Sequence, residues 1–371
     1  NPSNGAMNSP STEPVFSSSS SLLSLGSLAR SAQAALLVGN TEGNNIVELD
    51  EKTGSVLGEF IAPFDGFESP DTLTYGPDGN LYISSGITPE TSAIYRFDGQ
   101  TGKLIDKFAS GGGLLRPYGL AFGPDGLLYV SSFRSDEILR YDGTTGAFVD
   151  VFAAGTATKD GLNGPNGLLF GPDNHLYVTT QGSVADDAGE IEFLFESQVL
   201  KYDIATGAGT VFVPQPEPFP SSFGFVSFLG LAVGPQDGDL YVSDFANGLR
   251  RYDFTSGQEK AVYDTNYTQT EPSSNFIGSL AFGPQDDLYT VGFDFGTEVD
   301  GETNLGALLK FDVTSGARTV VAETVPALKR PIGLLFKAFT SDASVPEPGM
   351  VAGLFTLGLM SLKLRRQALK S

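Results

Sequence analysis

Asp71, Asn166, Asp244 and Asn40 are the side chains whose types and spacing could do chemistry. Asp71 and Asn166 each follow a proline (Pro70, Pro165), precede a small residue (Thr72, Gly167) and stand a few residues before a Gly-Pro-Asp turn. Asp244 and Asn40 end apolar stretches, Leu240–Asp244 and Leu36–Asn40. The four present oxygen donors only, a set that suits Ca²⁺ or Mg²⁺ and not Zn²⁺. The plainer role for Asp71 and Asn166 is to cap the turns that follow their prolines. Tyr118 occupies the place of Asp71 and Asn166 in the segment RPYGLAF, so it joins the candidate ligand-binding set. Other chemistries lack their residues. Cysteine is absent and His175 is the only histidine, in a GPDN-His turn away from the others, which excludes a Ser/His/Asp triad and a His- or Cys-based metal site. No phosphate-cradling glycine loop is present. No catalytic residue can be assigned.

The elements that must position these residues are strands. Arg116–Ala153 contains four short apolar runs joined in pairs by two tight turns, GPDG at Gly123–Gly126 and DGTTG at Asp142–Gly146. The second turn recurs as Asp-x-x-Thr/Ser-Gly at Asp50, Asp98, Asp142, Asp203, Asp253 and Asp312. Its Asp can accept bonds from backbone N–H groups of the turn, and its Gly can adopt positive φ. The first turn recurs five times, at Gly76, Gly123, Gly171, Gly234 and Gly283. The missing copy is expected at the ends of the chain. It opens in mid-repeat, and near its end a lone RPIGLLFKAF at Arg330–Phe339 repeats the start of RPYGLAF. The expected architecture is all-β, a six-bladed β-propeller over residues 35–340 closed by the C-terminal strand pairing into the first blade. Aligned on the turn glycine, the inner strands begin with Asp71, Tyr118, Asn166, Leu229, Gly278 and Ile332, a ring at the channel mouth. The next residue is small in every repeat, as converging strands require.

The GPDG and DxxTG turns fall on one face of such a propeller. The long connections, including 182–197, 214–226, 265–277 and 293–305, fall on the other, where function concentrates. They carry Glu192, Glu196, Glu217, Glu271 and Glu298 among Phe193, Phe223, Phe225 and Phe295. Acids beside aromatic faces suit sugars, Ca²⁺ or cationic ligands. The aromatics could equally cap the blade edges. With 44 acidic against 22 basic side chains, net charge −22, the chain is excluded as a nucleic-acid binder.

The GPDG-LYV segments and the GNN-I-x-x-x-D stretch at Gly43–Asp50 give the chain a resemblance to the NHL-repeat and gluconolactonase (senescence marker protein)-like six-bladed propellers. In the gluconolactonase-like relatives a divalent cation sits in the channel mouth. The resemblance implies Asp71 and Asn166 as metal-binding residues, with Asp244 beside them. The relatives' acidic ligand on the first inner strand is unmatched, since that strand reads RPIGLLF here.

Both ends change character. Residues 1–34 are Ser-rich and expected to be disordered or the remnant of an export signal, with Ala32–Ala34 as a cleavage-like site. Residues 345–371 read Val345-Pro346-Glu347-Pro348, then an apolar run Gly349–Leu362, then Lys363, Arg365 and Arg366. The run is shorter than the ~20 residues of an ordinary membrane span and reads as a short apolar helix. The order of the three parts resembles the PEP-CTERM sorting signal of bacteria. That resemblance implies processing by an exosortase-type enzyme, transient membrane anchoring through this segment, and a body at the cell surface or outside the cell. The expected function is therefore that of an exported, surface-sorted module for ligand binding or interaction, with extracellular polysaccharide as a ligand. The alternative is a lactonase-like hydrolase dependent on Ca²⁺ or Mg²⁺. A purely structural surface protein is the third reading.

Overall fold

The Asp-x-x-Thr/Ser-Gly turns are built alike. In the turn at Asp142, the Oδ1 atom accepts the N–H of Thr144 (3.0 Å), the N–H of Thr145 (2.7 Å) and the hydroxyl of Thr145 (2.8 Å). The same bonds recur at Asp50, Asp98, Asp203 and Asp253. Each turn then closes on a glycine with positive φ, such as Gly146 at 73°. The Gly-Pro-Asp turns carry a second repeated device. Asp125 accepts the Tyr129 hydroxyl (2.8 Å), and the Arg140 guanidinium lies over the Tyr129 ring while pairing with Asp150. Asp237, Tyr241 and Arg251 repeat the arrangement, with Asp239 as the second acid; Asp78 and Tyr82 repeat the hydrogen bond, with Arg96 paired with Asp106 and lying over Phe108. The arginines upstream of the turns at Asp98, Asp142 and Asp253 are thus scaffold.

These turns join strands into six four-stranded antiparallel sheets in a computed structural model that describes residues 34–337 except 186–190, 247 and 297. We number them as blades. Blade 1 combines Pro331–Phe336 with Ala35–Asn40, Asn45–Asp50 and Val56–Ile61. The first two pair antiparallel, Val38 opposite Leu334 and Gly39 opposite Gly333. Blade 2 is Leu73–Tyr75, Leu81–Ser85, Ala93–Phe97 and Leu104–Ser110. Blade 3 is Pro117–Phe122, Leu127–Ser132, Glu137–Asp142 and Phe148–Ala154. Blade 4 is Pro165–Phe170, Leu176–Thr180, Val199–Tyr202 and Gly209–Val213, with a small hairpin, Ser183–Ala185 and Ile191–Phe193, set into its long connection. Blade 5 is Phe228–Val233, Leu240–Asp244, Gly248–Tyr252 and Glu259–Tyr263. Blade 6 is Asn275–Phe282, Leu288–Asp294, Leu305–Phe311 and Arg318–Lys329. The chain is therefore an all-β, six-bladed β-propeller. Among the described residues its only helix is one 3₁₀ turn, Phe133–Ser135, and no helix is long and apolar enough to cross a membrane. The expected export and sorting segments, with Val345–Pro348, Arg365, Arg366 and the apolar helix, lie outside the described residues.

The core sits between blades. Leu36, Val38 and Leu49 of blade 1 pack against Tyr289, Val291 and Leu308 of blade 6. Tyr82 of blade 2 is buried edge-on against Phe122 of blade 3, ring centroids 4.9 Å apart. Burying such side chains contributes about 1.5–3 kcal/mol each. Because the second strands are covered on both faces, they read as continuous apolar runs and not as an alternation.

Hydroxyls set into those runs stitch the blades together at the axis. The pairing of the inner strand shifts register near its small residue in five of the six blades, for example between Pro117 and Leu120, which frees backbone groups from the ladder. The Ser131 hydroxyl accepts the Gly119 N–H (2.6 Å) and donates to the Asn166 carbonyl of the next blade (2.5 Å). Thr179 does the same between Gly167 and Leu229. Ser84 and Ser243 accept the N–H groups of Thr72 and Gly230. The small residues are required by contact. A Cβ on Gly119 would lie 2.2 Å from the Asn166 carbonyl oxygen, and one on Gly333 would lie 1.8 Å from that of Asp71.

Candidate functional site

The inner-strand starts and the second-strand ends converge on a cavity of about 180 Å³ at the channel mouth. Asp71, Tyr118 and Asn166 line it together, with Leu229 and Ile332 of the same ring. Thr41, Gln181 and Ser227 add polar groups from the strand ends, and aromatic rings line it from the long connections (Phe193, Phe225) and from the end of the second strand of blade 5 (Phe245). The wall continues through stacked rings, Phe245 on Phe276 at 4.6 Å and Phe223 on Phe276 at 5.7 Å. Phe193, Phe223 and Phe225 are exposed. Cavities that pair an apolar wall with a few convergent polar groups are the usual form of a small-ligand site.

Two further lining residues are arginines, Arg116 and Arg330. Each directly precedes the proline that starts an inner strand, in blades 3 and 1, and each has left-handed backbone geometry, φ 56° and 51°. Hydrogen bonds on both sides hold that geometry. The Arg116 N–H donates to Ser92 Oγ (3.0 Å), and its carbonyl accepts the Phe133 N–H (3.2 Å). The Arg330 N–H donates to the Asn304 carbonyl (2.9 Å), and its own carbonyl accepts the Thr41 hydroxyl (2.6 Å). The Arg116 Nε donates to the Tyr118 hydroxyl (3.2 Å), with the guanidinium 5.3 Å from the Tyr118 ring centre. Sequence reasoning missed both arginines. The signal was the Arg-Pro pair shared by RPYGLAF and RPIGLLF.

Asp71 is buried, and burial pushes its carboxyl up to about 7. The charges of Arg116 and Arg330 and the Thr72 hydroxyl pull in the other direction. Among the described residues that line the mouth, the charged groups are therefore two guanidiniums and one acid.

Asp244 and Asn40, expected in the same set, do not line this cavity. Asp244 is wholly buried, and its Oδ2 pairs with Arg250 Nε (3.0 Å) while Oδ1 accepts the Ser227 N–H (3.1 Å). Arg250 in turn donates to the Glu217 carbonyl (2.9 Å), so the pair fixes the connection that delivers Phe225 and Ser227. Asn40 donates to the Ala327 carbonyl (3.0 Å) and accepts the Lys329 N–H (2.5 Å), which fixes the segment that delivers Arg330. Both act as positioning residues. Strand alignment places them near the mouth, but a buried guanidinium and a bare peptide edge claim their side chains. Among the described residues no group of three or more His, Cys, Asp or Glu side chains could hold a metal ion. Among the described lining residues Asp71 is the one carboxylate that a cation would meet, with neutral oxygens such as that of Asn166 and with two positive charges beside it. His175 stays in its turn, with Nδ1 3.1 Å from the Asp173 carbonyl.

Comparison with solved structures finds the same fold. The chain is similar to a chain of a nidogen/laminin complex (TM-score 0.55, 14% identity, covering 82% of this chain and 98% of that one). It is similar to a protein from Lactobacillus plantarum (TM-score 0.54, 18% identity, 82% and 99%). It is also similar to virginiamycin B lyase from Staphylococcus aureus (TM-score 0.51, 16% identity, 82% and 88%). At these identities the likeness is one of fold. No protein-family model and no curated protein matches the chain.

Proposed function

We propose that this propeller is a ligand-binding module that acts outside the cytoplasm, with the channel mouth as its site and the end of an extracellular polysaccharide as its ligand. The observation that carries this reading is the mouth cavity, where an aromatic wall faces convergent amide, hydroxyl and guanidinium groups. Sugars need that combination, an apolar surface for the ring's C–H face and polar groups for its hydroxyls. Export and surface sorting rest on the sequence at the two ends, including the Pro346–Pro348 signal, its exosortase-type partner and the transient membrane anchor. Capture of the full-length chain on a glycan array tests the reading. Retention that Phe225→Ala abolishes supports it, and retention no greater than that of a charge-matched control protein rejects it.

A second reading, a divalent-metal-dependent lactonase-like hydrolase, is favoured by one observation: Asp71 and Asn166 share the cavity. They would hold the ion, and a metal in that position would polarise a substrate carbonyl. A rise in melting temperature with Ca²⁺ or Mg²⁺ that disappears in Asp71→Ala would support it, and an unchanged melting temperature in both proteins removes it.

A further inference from the structure

We propose that the mouth is a carboxylate receptor, and that the group it takes is the carboxylate of a uronic acid at the end of an acidic glycan, held between Arg116 and Arg330. This rests on the binding function just argued and names its ligand class.

The first ground is charge accounting. Acids outnumber bases two to one, 44 to 22, so a guanidinium without an acidic partner is unusual in this chain. Arg96, Arg140, Arg250, Arg251 and Arg318 are each paired with a carboxylate. Among the described residues, Arg116 and Arg330 have none within 4.0 Å. Arg134, on the 3₁₀ turn, is the other described arginine of this kind, and it does not line the cavity. The two mouth guanidiniums share one carboxyl, Asp71, which lies on blade 2 between their own blades. Among the described residues that line the mouth, the charge is therefore net positive in either state of Asp71.

The second ground is backbone strain. The residue before the inner-strand proline has positive φ in blades 1 to 4, at Arg330, Ser69, Arg116 and Gly164. Gly adopts this geometry at no steric cost, whereas a residue with a Cβ is strained in it. Blade 4 has the glycine. Blades 1 and 3 carry arginine, and in both the strained turn directs a long cationic side chain to the same cavity. Ser69 in blade 2 holds the same geometry with a short side chain outside the cavity, so the turn belongs to the scaffold, and in blades 1 and 3 the arginine it carries reaches the mouth.

The third ground is shape. A guanidinium presents paired donors in the geometry of a carboxylate, and two of them can grip one carboxylate from both sides. The cavity, about 180 Å³, is smaller than an ordinary small-molecule pocket of about 300–1,000 Å³. It admits one ring, the terminal residue of a chain, and not a polymer passing through. Asn166, Gln181 and Ser227 suit ring hydroxyls. Phe193, Phe225 and Phe245 suit the ring's apolar face, which a bare inorganic anion would leave unused. The exposed Phe223 continues the wall outward for the next sugar. The acidity of the rest of the body is screened beyond about 8 Å at physiological salt.

Calorimetric titration of the full-length protein at pH 7 tests this. The probes are di- and trigalacturonate, their carboxyl-reduced neutral counterparts, and inorganic phosphate and sulfate. The variants are Arg116→Gln, Arg330→Gln and the control Arg134→Gln, each checked for unchanged melting temperature and circular dichroism. The expected result is uronate binding that weakens about tenfold or more on carboxyl reduction and in each mouth variant, from a charge-assisted bond of about 1.5–3 kcal/mol. Arg134→Gln should bind as the parent does. Should either mouth variant fail to fold, displacement of uronate by excess acetate in the parent protein reports on the same contact. Equal affinity for uronates and their neutral counterparts overturns the carboxylate receptor while leaving a sugar-binding mouth. Phosphate or sulfate binding as tightly as uronate overturns the sugar and leaves an anion site. No binding by any saccharide, acidic or neutral, overturns both this inference and the function beneath it.

Discussion

Replacing Asp71 with Asn should stabilise the protein, and more so as pH rises. Burial lifts the Asp71 carboxyl from 3.8 to about 7 in the folded chain. Between these values the folded state binds a proton that the unfolded state has released, so stability falls as pH rises through the window. The contribution is intact below pH 3.8 and fully lost above about 7. At about 1.36 kcal/mol per pKa unit, Asp71 costs the native state roughly 4 kcal/mol at pH 8, where the buried group is ionised, and roughly 1–2 kcal/mol at pH 5, where it keeps a proton that the unfolded chain releases. Asn keeps the shape and some of the hydrogen bonding without the charge. The gain of Asp71→Asn over the parent should therefore grow by about 2–3 kcal/mol between pH 5 and pH 8, the difference between those two costs. Urea denaturation of both proteins at the two pH values measures it. Asp136, which burial pushes up to about 6, titrates in both proteins and cancels from the difference. A gain independent of pH, or a loss that deepens at pH 8, would refute the reasoning. It would mean that Arg116 and Arg330 hold the carboxylate ionised.

The same ionisation should govern binding. Uronate affinity should rise as pH falls from 8 to 6, because protonation of Asp71 removes the competing negative charge, and calorimetry on Asp71→Asn should show a flat profile. Asp244→Ala removes one of the two carboxylates that pair with the buried Arg250, leaving Glu259 at 2.8 Å, and should cost about 1.5–3 kcal/mol in chemical denaturation, with Phe225 and Ser227 released from the mouth. Gly119→Ala drives a Cβ against the Asn166 carbonyl and should lower stability by about 1–3 kcal/mol by the same measurement.

The number of blades was legible because it depends on local chemistry repeated along the chain. An Asp that caps a turn, a Gly with positive φ and an apolar run of strand length carry their meaning within a few residues of themselves. The small residue after each strand start could also be read, since convergence at an axis leaves no room for a Cβ. The buried hydroxyls of Ser131 and Thr179 were harder to interpret. They look like interruptions of an apolar strand until the bulge that frees the Gly119 and Gly167 amides is seen. The aromatic residues of the long connections were visible as a composition, but not as a cavity lining that Phe193 and Phe225 share with Phe245 of a strand end.

By itself, the sequence determined the repeat, the six blades, the face that carries the long connections, and the membership of Asp71, Tyr118 and Asn166 in the axial ring. Each of these follows from position along a strand. Only the tertiary structure decided the charge of the mouth. Position along a strand does not say where a side chain goes when a partner from another strand competes for it. Asp244 went to Arg250 and Asn40 to the backbone at Ala327 and Lys329. Arg116 and Arg330 came in through a left-handed turn that alignment does not display. A site expected from its oxygens to favour cations was thereby assembled around two guanidiniums.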